Sequence, residues 1–222
     1  MAETVPLFPL SAVLLPGVSL PLHIFEPRYR QLTVDLVTGA VPGRRFGVIA
    51  VKPGLSAAEE THDIGCTAVL QEARRLPDGR FDIVTRGAKR FRLLDVDDTS
   101  APYLLGGVEW LPDDDPPAEQ SMLLPTLARS AREAHRQYRW ALGQHADRET
   151  LRENVDITAL AYLLASDCLL ALEDQQALLE ERDPADRLRL VRTVLVREAA
   201  FLRLLRAVPV PLEEFDVKAS RN

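Results

Sequence analysis

Up to about Trp110, short apolar runs alternate with turns that contain proline or glycine, a pattern typical of β-strands. Residues 46–51 are apolar almost throughout and lie between Pro42-Gly43 and Pro53-Gly54, which predicts a buried strand. Five or six short strands are expected in this region. Together they predict a compact, curled sheet.

A hairpin is predicted around Pro77-Asp78-Gly79, because proline presets one turn dihedral and glycine accepts a positive one. In the strand that follows, one face should be core and the other partly exposed. The inward positions of that strand are Phe81, Ile83 and Thr85. Arg86-Gly87 then predicts a break, after which Phe91 and Leu93 should share one face of a second strand.

One helix interrupts the strands. It is predicted to begin at Glu26-Pro27, since proline suits the first helical position, and to end near Gly39. The clearest boundary follows at residues 113–117, where three adjacent aspartates repel one another and two prolines stiffen the chain. The pattern therefore predicts an α+β fold, with a β-rich part over residues 1–115 and a helical bundle over residues 116–222.

Beyond this boundary the apolar positions recur at helical spacing, so three to four helices are expected. Asp156 and Asp183 are the predicted N-caps of two helices, and a short helix is expected around residues 175–181. Pro125 lies within the first helical pattern, where it marks either a kink or the true start of the helix.

Charge and composition narrow the functional classes. The 222 residues include 27 lysines and arginines against 33 acidic residues, a net charge of −6, which disfavours a phosphate-driven nucleic-acid binder. Cys66 and Cys168 are far apart and are expected to be buried, reduced thiols. The best membrane candidate, residues 159–172, is short and contains Asp167, so no span is predicted and the protein is expected in the cytoplasm.

Motifs of enzyme chemistry are missing from the sequence. The three lysines, Lys52, Lys89 and Lys218, lie neither in a phosphate-binding P-loop nor in the setting of a buried general base. The four histidines lack the spacing of a zinc site, and the adjacent carboxylates adjoin turn-like sequence. We therefore predict no catalytic residues, no metal site and no cofactor, and a protein that is not an enzyme.

Three groups of side chains are candidates for binding, and each has a structural alternative. The first could hold a ligand carboxylate or form a salt bridge that pins the helix start. Its members are Glu26, Arg28, Tyr29 and Arg30. The second is basic and fits the solvated edge of a hairpin. Its members are Arg86, Lys89, Arg90 and Arg92. The third is apolar and is either a binding patch or completely buried. Its members are Leu20, Leu22, Ile24 and Phe25.

Four motifs, in order along the chain, carry a resemblance to a known family. The opening motif combines residues 6–10, 14–17 and 21–30, and the later three are residues 46–51, 63–68 and 76–91. Through these motifs the chain resembles the Lon N-terminal domain family. That family is the substrate-recognition part of the ATP-dependent protease Lon, and it also occurs alone in bacteria and within cereblon. The helical half resembles the family through pattern more than motif.

The resemblance implies a pseudo-barrel of the PUA-like type with one or two helices, followed by a helical bundle. It also implies non-catalytic recognition of unfolded or degron-bearing polypeptides, on the barrel surface or in the groove between the two parts. By motif position, the expected contacts are Leu22, His23, Phe25 and Tyr29, with Arg28 as the polar anchor.

The partners expected from this resemblance are unfolded or damaged polypeptides. The protein would then be an adaptor, and its further partner would be an ATP-dependent protease or a chaperone. No nucleic-acid or membrane partner is expected, and the chain should be a monomer or a weak homodimer. The main alternative is a small-molecule sensor or a module for one specific partner on the same fold. RNA binding through the barrel is a further alternative that the acidic balance disfavours.

Overall fold

The computed structural model describes residues 3–52, 61–115, 117–144 and 155–205. Its strands are β1 (Glu3–Leu10), β2 (Ser19–Ile24), β3 (Arg45–Ala50), β4 (Ile64–Arg75), β5 (Phe81–Asp97) and β6 (Leu105–Trp110). Its α-helices are α1 (Pro27–Thr38), α2 (Ala118–Ala141), α3 (Ile157–Ser166), α4 (Leu172–Glu180) and α5 (Pro184–Leu205). The predicted α+β fold, a strand-rich part followed by a helical bundle, is confirmed.

Five of the strands close into a ring. β1 pairs in parallel with β3 and antiparallel with β6, β4 joins β3 to β5, and the second half of β5 returns to β6. β2 lies outside the ring and pairs with the first half of β5, from Ser19 opposite Arg86 to Ile24 opposite Phe81. Closure leaves no open edge on the ring, so the predicted curled sheet is a small barrel with one added strand.

Phe91 fills the interior of the barrel. Its side chain is completely buried and belongs to one apolar cluster with Leu93, so the predicted shared face of these residues is confirmed. A Cβ atom on Gly65 would lie 2.5 Å from the Phe91 ring and equally close to the Val48 carbonyl oxygen. Glycine is therefore required at residue 65, because a side chain there would occupy the volume of the Phe91 ring.

The predicted break at Arg86-Gly87 is wrong, because β5 runs without interruption from Phe81 to Asp97. Gly87 serves a close approach of another segment instead. Its N–H donates to the Val18 carbonyl at 2.8 Å, and its own carbonyl accepts from Gly17 N–H at 2.9 Å. A Cβ on Gly87 would lie 2.1 Å from the Leu15 carbonyl oxygen. The glycine thus allows the loop before β2 to lie directly on β5.

The local turn and capping predictions are confirmed. Leu76 N–H donates to the Arg80 carbonyl at 2.8 Å in the β4–β5 hairpin. Helix α1 begins with Pro27 in its first turn and ends at Gly39, which has a left-handed backbone. In β5 the side chains of Phe81, Ile83 and Thr85 are buried, as the alternating pattern predicts.

The helical part also follows its sequence signals. The Asp156 carboxylate accepts from Thr158 N–H at 3.0 Å and caps α3, and the Asp183 carboxylate caps α5 in the same way. The expected short helix is α4. Pro125 lies inside α2, which begins before it at Ala118, so this proline does not mark the start of the helix.

One apolar cluster extends from the barrel into the helices, and it is separate from the cluster around Phe91 inside the barrel. The Gln176 amide on α4 also donates to the Ile64 carbonyl on β4 at 3.1 Å. Cys66 and Cys168 are both buried free thiols, as predicted, and burial raises the pKa of Cys66 to about 12. Over the described ranges, no helix has the length and apolar character needed to span a membrane.

Candidate functional site

The corner between β2 and α1 carries most of the predicted contact residues. Side chains alternate along β2 because it is a strand, so Leu22 and Ile24 face the core while His23 faces solvent. Phe25 follows directly after the strand, and its side chain also faces solvent, with 61% of it exposed. We call His23, Phe25, Glu26 and Arg28 the β2–α1 corner.

A hydrogen-bonded chain holds His23 in place beside Phe25. The His23 Nδ1 atom lies 2.8 Å from the Asp82 carboxylate on β5, and Arg74 on β4 contacts the other Asp82 oxygen at 2.5 Å. Hydrogen bonds from His23 and then Arg74 hold the pKa of Asp82 below its usual value. The His23 and Phe25 ring centroids are 6.5 Å apart, so the two rings present one continuous surface.

Arg28 and Tyr29 face opposite environments at the start of α1. The Arg28 Nε atom donates to Glu26 at 2.9 Å, so the salt-bridge interpretation of this cluster is observed. Tyr29 is only 4% exposed and stacks on Phe8 with 3.9 Å between the ring centroids. The Arg28 guanidinium lies over the same Tyr29 ring, 4.6 Å from its centroid.

The five predicted contacts are therefore adjacent in space but not equally accessible. His23, Phe25 and Arg28 are exposed, Leu22 is half-buried against the core, and Tyr29 is buried. As the wall behind Arg28, Tyr29 supports the corner from beneath. The assignment of all five residues as ligand contacts stays a prediction.

Arg28 also lies on the rim of a cavity of about 560 Å³ at one end of the barrel, which we call the barrel-mouth pocket. Its floor is apolar and is formed by residues of the barrel interior, namely Leu7, Ile49, Leu93 and Leu104. Asp98 is a second charged group among its lining residues. These residues come from distant strands, so no linear motif could have indicated this pocket.

A second cavity, of about 460 Å³, lies between the barrel and helix α3, and we call it the interface groove. Apolar side chains line most of it, including Pro16, Leu111, Ala159 and Tyr162. Lys89, Arg90 and Asp113 are its charged residues. The family resemblance implied a groove between the two parts. Sequence reasoning included Lys89 and Arg90 in its basic candidate group but did not assign them to this groove, and it named none of the apolar lining residues.

The basic cluster on β5 has two different environments. Arg86, Lys89 and Arg92 are exposed, which agrees with a solvated hairpin edge, but Arg90 is 4% exposed. Its guanidinium donates to the Leu179 carbonyl at 3.0 Å and to the Asp113 carboxylate at 2.6 Å. The solvated interpretation of Arg90 is therefore wrong, because this side chain joins the barrel to the helices.

Across residues 3–52, 61–115, 117–144 and 155–205, no group of three histidine, cysteine, aspartate or glutamate side chains is placed to hold a metal ion. The β2–α1 corner, the barrel-mouth pocket and the interface groove offer exposed aromatic and apolar surface with a few fixed charges. Such a surface suits the binding of another molecule.

Comparison with known families agrees with this geometry. The family model of the ATP-dependent protease La (LON) substrate-binding domain matches residues 4–197. The chain belongs to this family. The resemblance seen in the four motifs is thus confirmed, and the match extends beyond them through most of the helical part.

The curated proteins to which this chain is similar include Lon proteases of several bacteria. The chain is 29% identical to the Lon protease of Trichlorobacter lovleyi over 208 residues, which are 90% of this chain and 24% of the relative. It is 30% identical to that of Desulfovibrio desulfuricans over 203 residues, 88% of this chain and 22% of the relative. The chain therefore spans about a quarter of the length of these proteases.

Solved structures show the same fold. The Lon N-terminal domain protein from Xanthomonas campestris is 26% identical, with a TM-score of 0.60 over 86% of this chain and 98% of that chain. The N-terminal domain of Lon protease from the Mycobacterium avium complex has a TM-score of 0.63 over 87% and 98% of the two chains. At 19% identity, the second structure supports the fold alone.

Proposed function

We propose that this protein binds exposed apolar segments of unfolded or degron-bearing polypeptides without acting on them chemically. The observation that carries the proposal is the 61% exposure of Phe25 on a corner where His23 and Arg28 are hydrogen-bonded to neighbouring carboxylates. A large aromatic side chain exposed in this way contributes contact area at a low entropic cost. The family membership supports a polypeptide as the ligand.

The corner offers a polypeptide both apolar and polar contacts. Phe25 and His23 form its aromatic surface, and Arg28 supplies a cation at the rim of the barrel-mouth pocket. Such a pocket could take one bulky side chain from a segment that crosses the corner. Because the corner and the pocket together bury little surface, their affinity for a polypeptide should be low, on the order of micromolar to millimolar. They should also tolerate many different polypeptide sequences.

The proposal includes the wider setting of this binding. The free thiols Cys66 and Cys168 support a reducing compartment such as the cytoplasm. There the protein would act as an adaptor that presents damaged polypeptides to an ATP-dependent protease or a chaperone. Monomers or weak homodimers suffice for this role, and neither a cofactor nor a metal ion is required.

Fluorescence anisotropy tests the proposal directly. A labelled, permanently unfolded polypeptide is titrated with the protein, and its folded counterpart serves as the ligand control. We expect saturable binding of the unfolded form alone. Phe25→Ala should weaken it by about fivefold or more, as a central aromatic contact does. Val37→Ala is the matched control, since Val37 is a 50% exposed apolar residue farther along α1. If wild type, Phe25→Ala and Val37→Ala bind the unfolded polypeptide with equal affinity, Phe25 is not part of the binding site.

A second candidate function is the binding of a small molecule in the barrel-mouth pocket. Its volume of about 560 Å³ lies within the range of ligand sites, and its apolar floor with two charged rim residues resembles such sites in character. A thermal-shift screen of metabolites tests this candidate. A ligand whose stabilisation is lost in Arg28→Ala would favour it over polypeptide binding.

A further inference from the structure

Trp110 and Lys89 form one wall of the interface groove. The Trp110 indole N–H donates to the Glu3 carboxylate at 2.9 Å, which fixes the orientation of the ring. The Lys89 ammonium lies 5.8 Å from the centroid of this ring, and the Arg45 guanidinium lies 5.2 Å from it. Hydrogen bonds from Arg45 and then Trp110 lower the pKa of Glu3. The Glu3 carboxylate is therefore already engaged and is not the ion-pair partner of Lys89.

The groove residues Arg90 and Asp113, together with Arg187, which contacts Asp113, add two cations and one anion. Arg90 and Arg187 are both buried, and both contact the Asp113 carboxylate, at 2.6 and 2.7 Å. Two guanidinium groups around one carboxylate leave a positive excess. Among the residues that the structure describes, no carboxylate lies within ion-pair distance of Lys89. The groove as a whole is therefore positive although the chain is acidic.

The two arginines act on a ligand through their charge and not as donors. The terminal nitrogens of Arg90 already donate to Leu179, Glu181, Pro112 and Asp113. Those of Arg187 donate to Asp113, Tyr162, Glu181 and Thr158. Lys89 is the cation of the groove that remains exposed. A negatively charged ligand group would therefore lie at Lys89, close to the Trp110 ring.

We propose that the interface groove binds a polypeptide segment in which an aspartate or glutamate side chain stands beside a bulky apolar one. The apolar side chain would lie among Pro16, Leu111 and Ala159, and the carboxylate would pair with Lys89. This inference rests on the proposed function, because it takes a polypeptide as the ligand. It adds a second contact surface on the barrel, separate from the β2–α1 corner, and it adds a charge preference to the choice of polypeptide.

Three labelled peptides test the preference. All three have the same apolar sequence and blocked ends. They differ at two positions, which are both glutamate in the first peptide, both glutamine in the second and both lysine in the third. We expect the wild-type protein to bind the glutamate peptide about threefold more tightly than the glutamine peptide, and the lysine peptide most weakly, at low salt. Lys89→Glu should reverse this order. Arg92→Glu, on the same strand but outside the groove, is the matched control and should preserve it.

The outcomes separate this inference from the proposed function. Reversal of the order in Lys89→Glu alone supports the groove as the site of the carboxylate. If the three peptides bind equally well, or if the order is the same in wild type and Lys89→Glu, the inference is overturned. Polypeptide binding that Phe25→Ala weakens would then still support the proposed function. If none of the peptides and no unfolded polypeptide bind, both proposals are wrong.

Discussion

Arg90 on β5 donates to the Asp113 carboxylate at 2.6 Å, and Arg187 on α5 donates to the same carboxylate at 2.9 and 2.7 Å. Arg90 also donates to the backbone carbonyls of Leu179 and Glu181, at 3.0 and 2.7 Å. One barrel side chain thus bonds to the boundary segment and to the helical part together. Because Arg90 is 4% exposed, water cannot replace these bonds without opening the interface.

Arg90→Ala should lower the free energy of unfolding by about 3 kcal/mol, because it removes the donor to the buried Leu179 carbonyl and to the partly buried Glu181 carbonyl, and one cation that pairs with Asp113. Urea unfolding followed by circular dichroism measures the loss. Arg92→Ala is the control, since Arg92 is exposed on the same strand, and we expect a change within about 0.5 kcal/mol. Similar losses in the two variants would contradict a special role for Arg90.

The two tryptophans offer a test of how the two parts unfold. Trp110 lies in the barrel and Trp140 in α2, and the chain has no other tryptophan. We retain residues 1–115 and 116–222 as a proposed division, but the core is continuous across it. Trp110→Phe and Trp140→Phe each leave a single probe, and we expect coincident unfolding transitions from both. Separate transitions would show that the parts are independent domains.

Gly87→Ala should destabilise the protein by about 2–3 kcal/mol. The new Cβ would lie 2.1 Å from the Leu15 carbonyl oxygen, so the loop before β2 must move away from β5. That movement would also lengthen the 2.8 Å hydrogen bond from Gly87 N–H to Val18. Thermal unfolding gives the measurement, and Ala88→Ser at the neighbouring exposed position is the control. A wild-type melting temperature in Gly87→Ala would show that this contact is not tight.

Gly87 also shows where reasoning from sequence failed. Caps and turns such as Asp156, Asp183 and Pro77-Asp78-Gly79 depend on neighbouring residues, and they were predicted correctly. From the neighbouring residues alone, a glycine that makes room for a segment distant in sequence cannot be distinguished from a glycine that ends a strand. Only the position of Leu15 in the fold distinguishes the two cases.

The candidate β2–α1 corner was also only partly predictable, because local sequence does not show contacts between distant segments. The family motif named His23, Phe25 and Arg28 as contacts by position alone, and the structure brings their exposed side chains to one corner. The sequence could not separate the exposed Phe25 from the buried Tyr29, because both are aromatic residues of one motif. The interface groove depends on contacts between distant segments. Arg90 therefore had the sequence character of a solvated residue although it is buried.

All four tyrosines have a raised pKa, chiefly because burial disfavours the phenolate. The value is about 12 for Tyr103 and Tyr162. An unfolded tyrosine releases its proton near pH 10, so between about pH 10 and 12 the unfolded state binds fewer protons than the folded state. The contribution of the tyrosines to stability should therefore be constant below pH 10 and fall as the pH rises towards 12, and buried Cys66 adds a loss in the same direction that begins near pH 9.

Urea midpoints measured at increasing alkaline pH test this prediction, with tyrosinate absorbance as the second observable. We expect tyrosinate to form in the folded protein at a higher pH than in the unfolded chain, because burial raises the pKa of each tyrosine. Tyr162→Phe removes one of the two most strongly shifted groups, so its stability should depend less steeply on pH above about pH 10. Rapid tyrosinate formation near pH 10 in the folded protein would show that the phenols are accessible.

Tyr29 distinguishes a supporting residue from a contact residue at the corner. Tyr29→Ala should cost about 3–4 kcal/mol of stability, because it removes the ring that stacks on Phe8 and lies under Arg28. Tyr29→Phe keeps both ring contacts and should retain the stability and the affinity for unfolded polypeptide. Phe25→Ala should show the opposite pattern, with unchanged stability and weaker binding, since its ring is mostly exposed. If Tyr29→Phe binds more weakly at unchanged stability, the Tyr29 hydroxyl contacts the polypeptide directly.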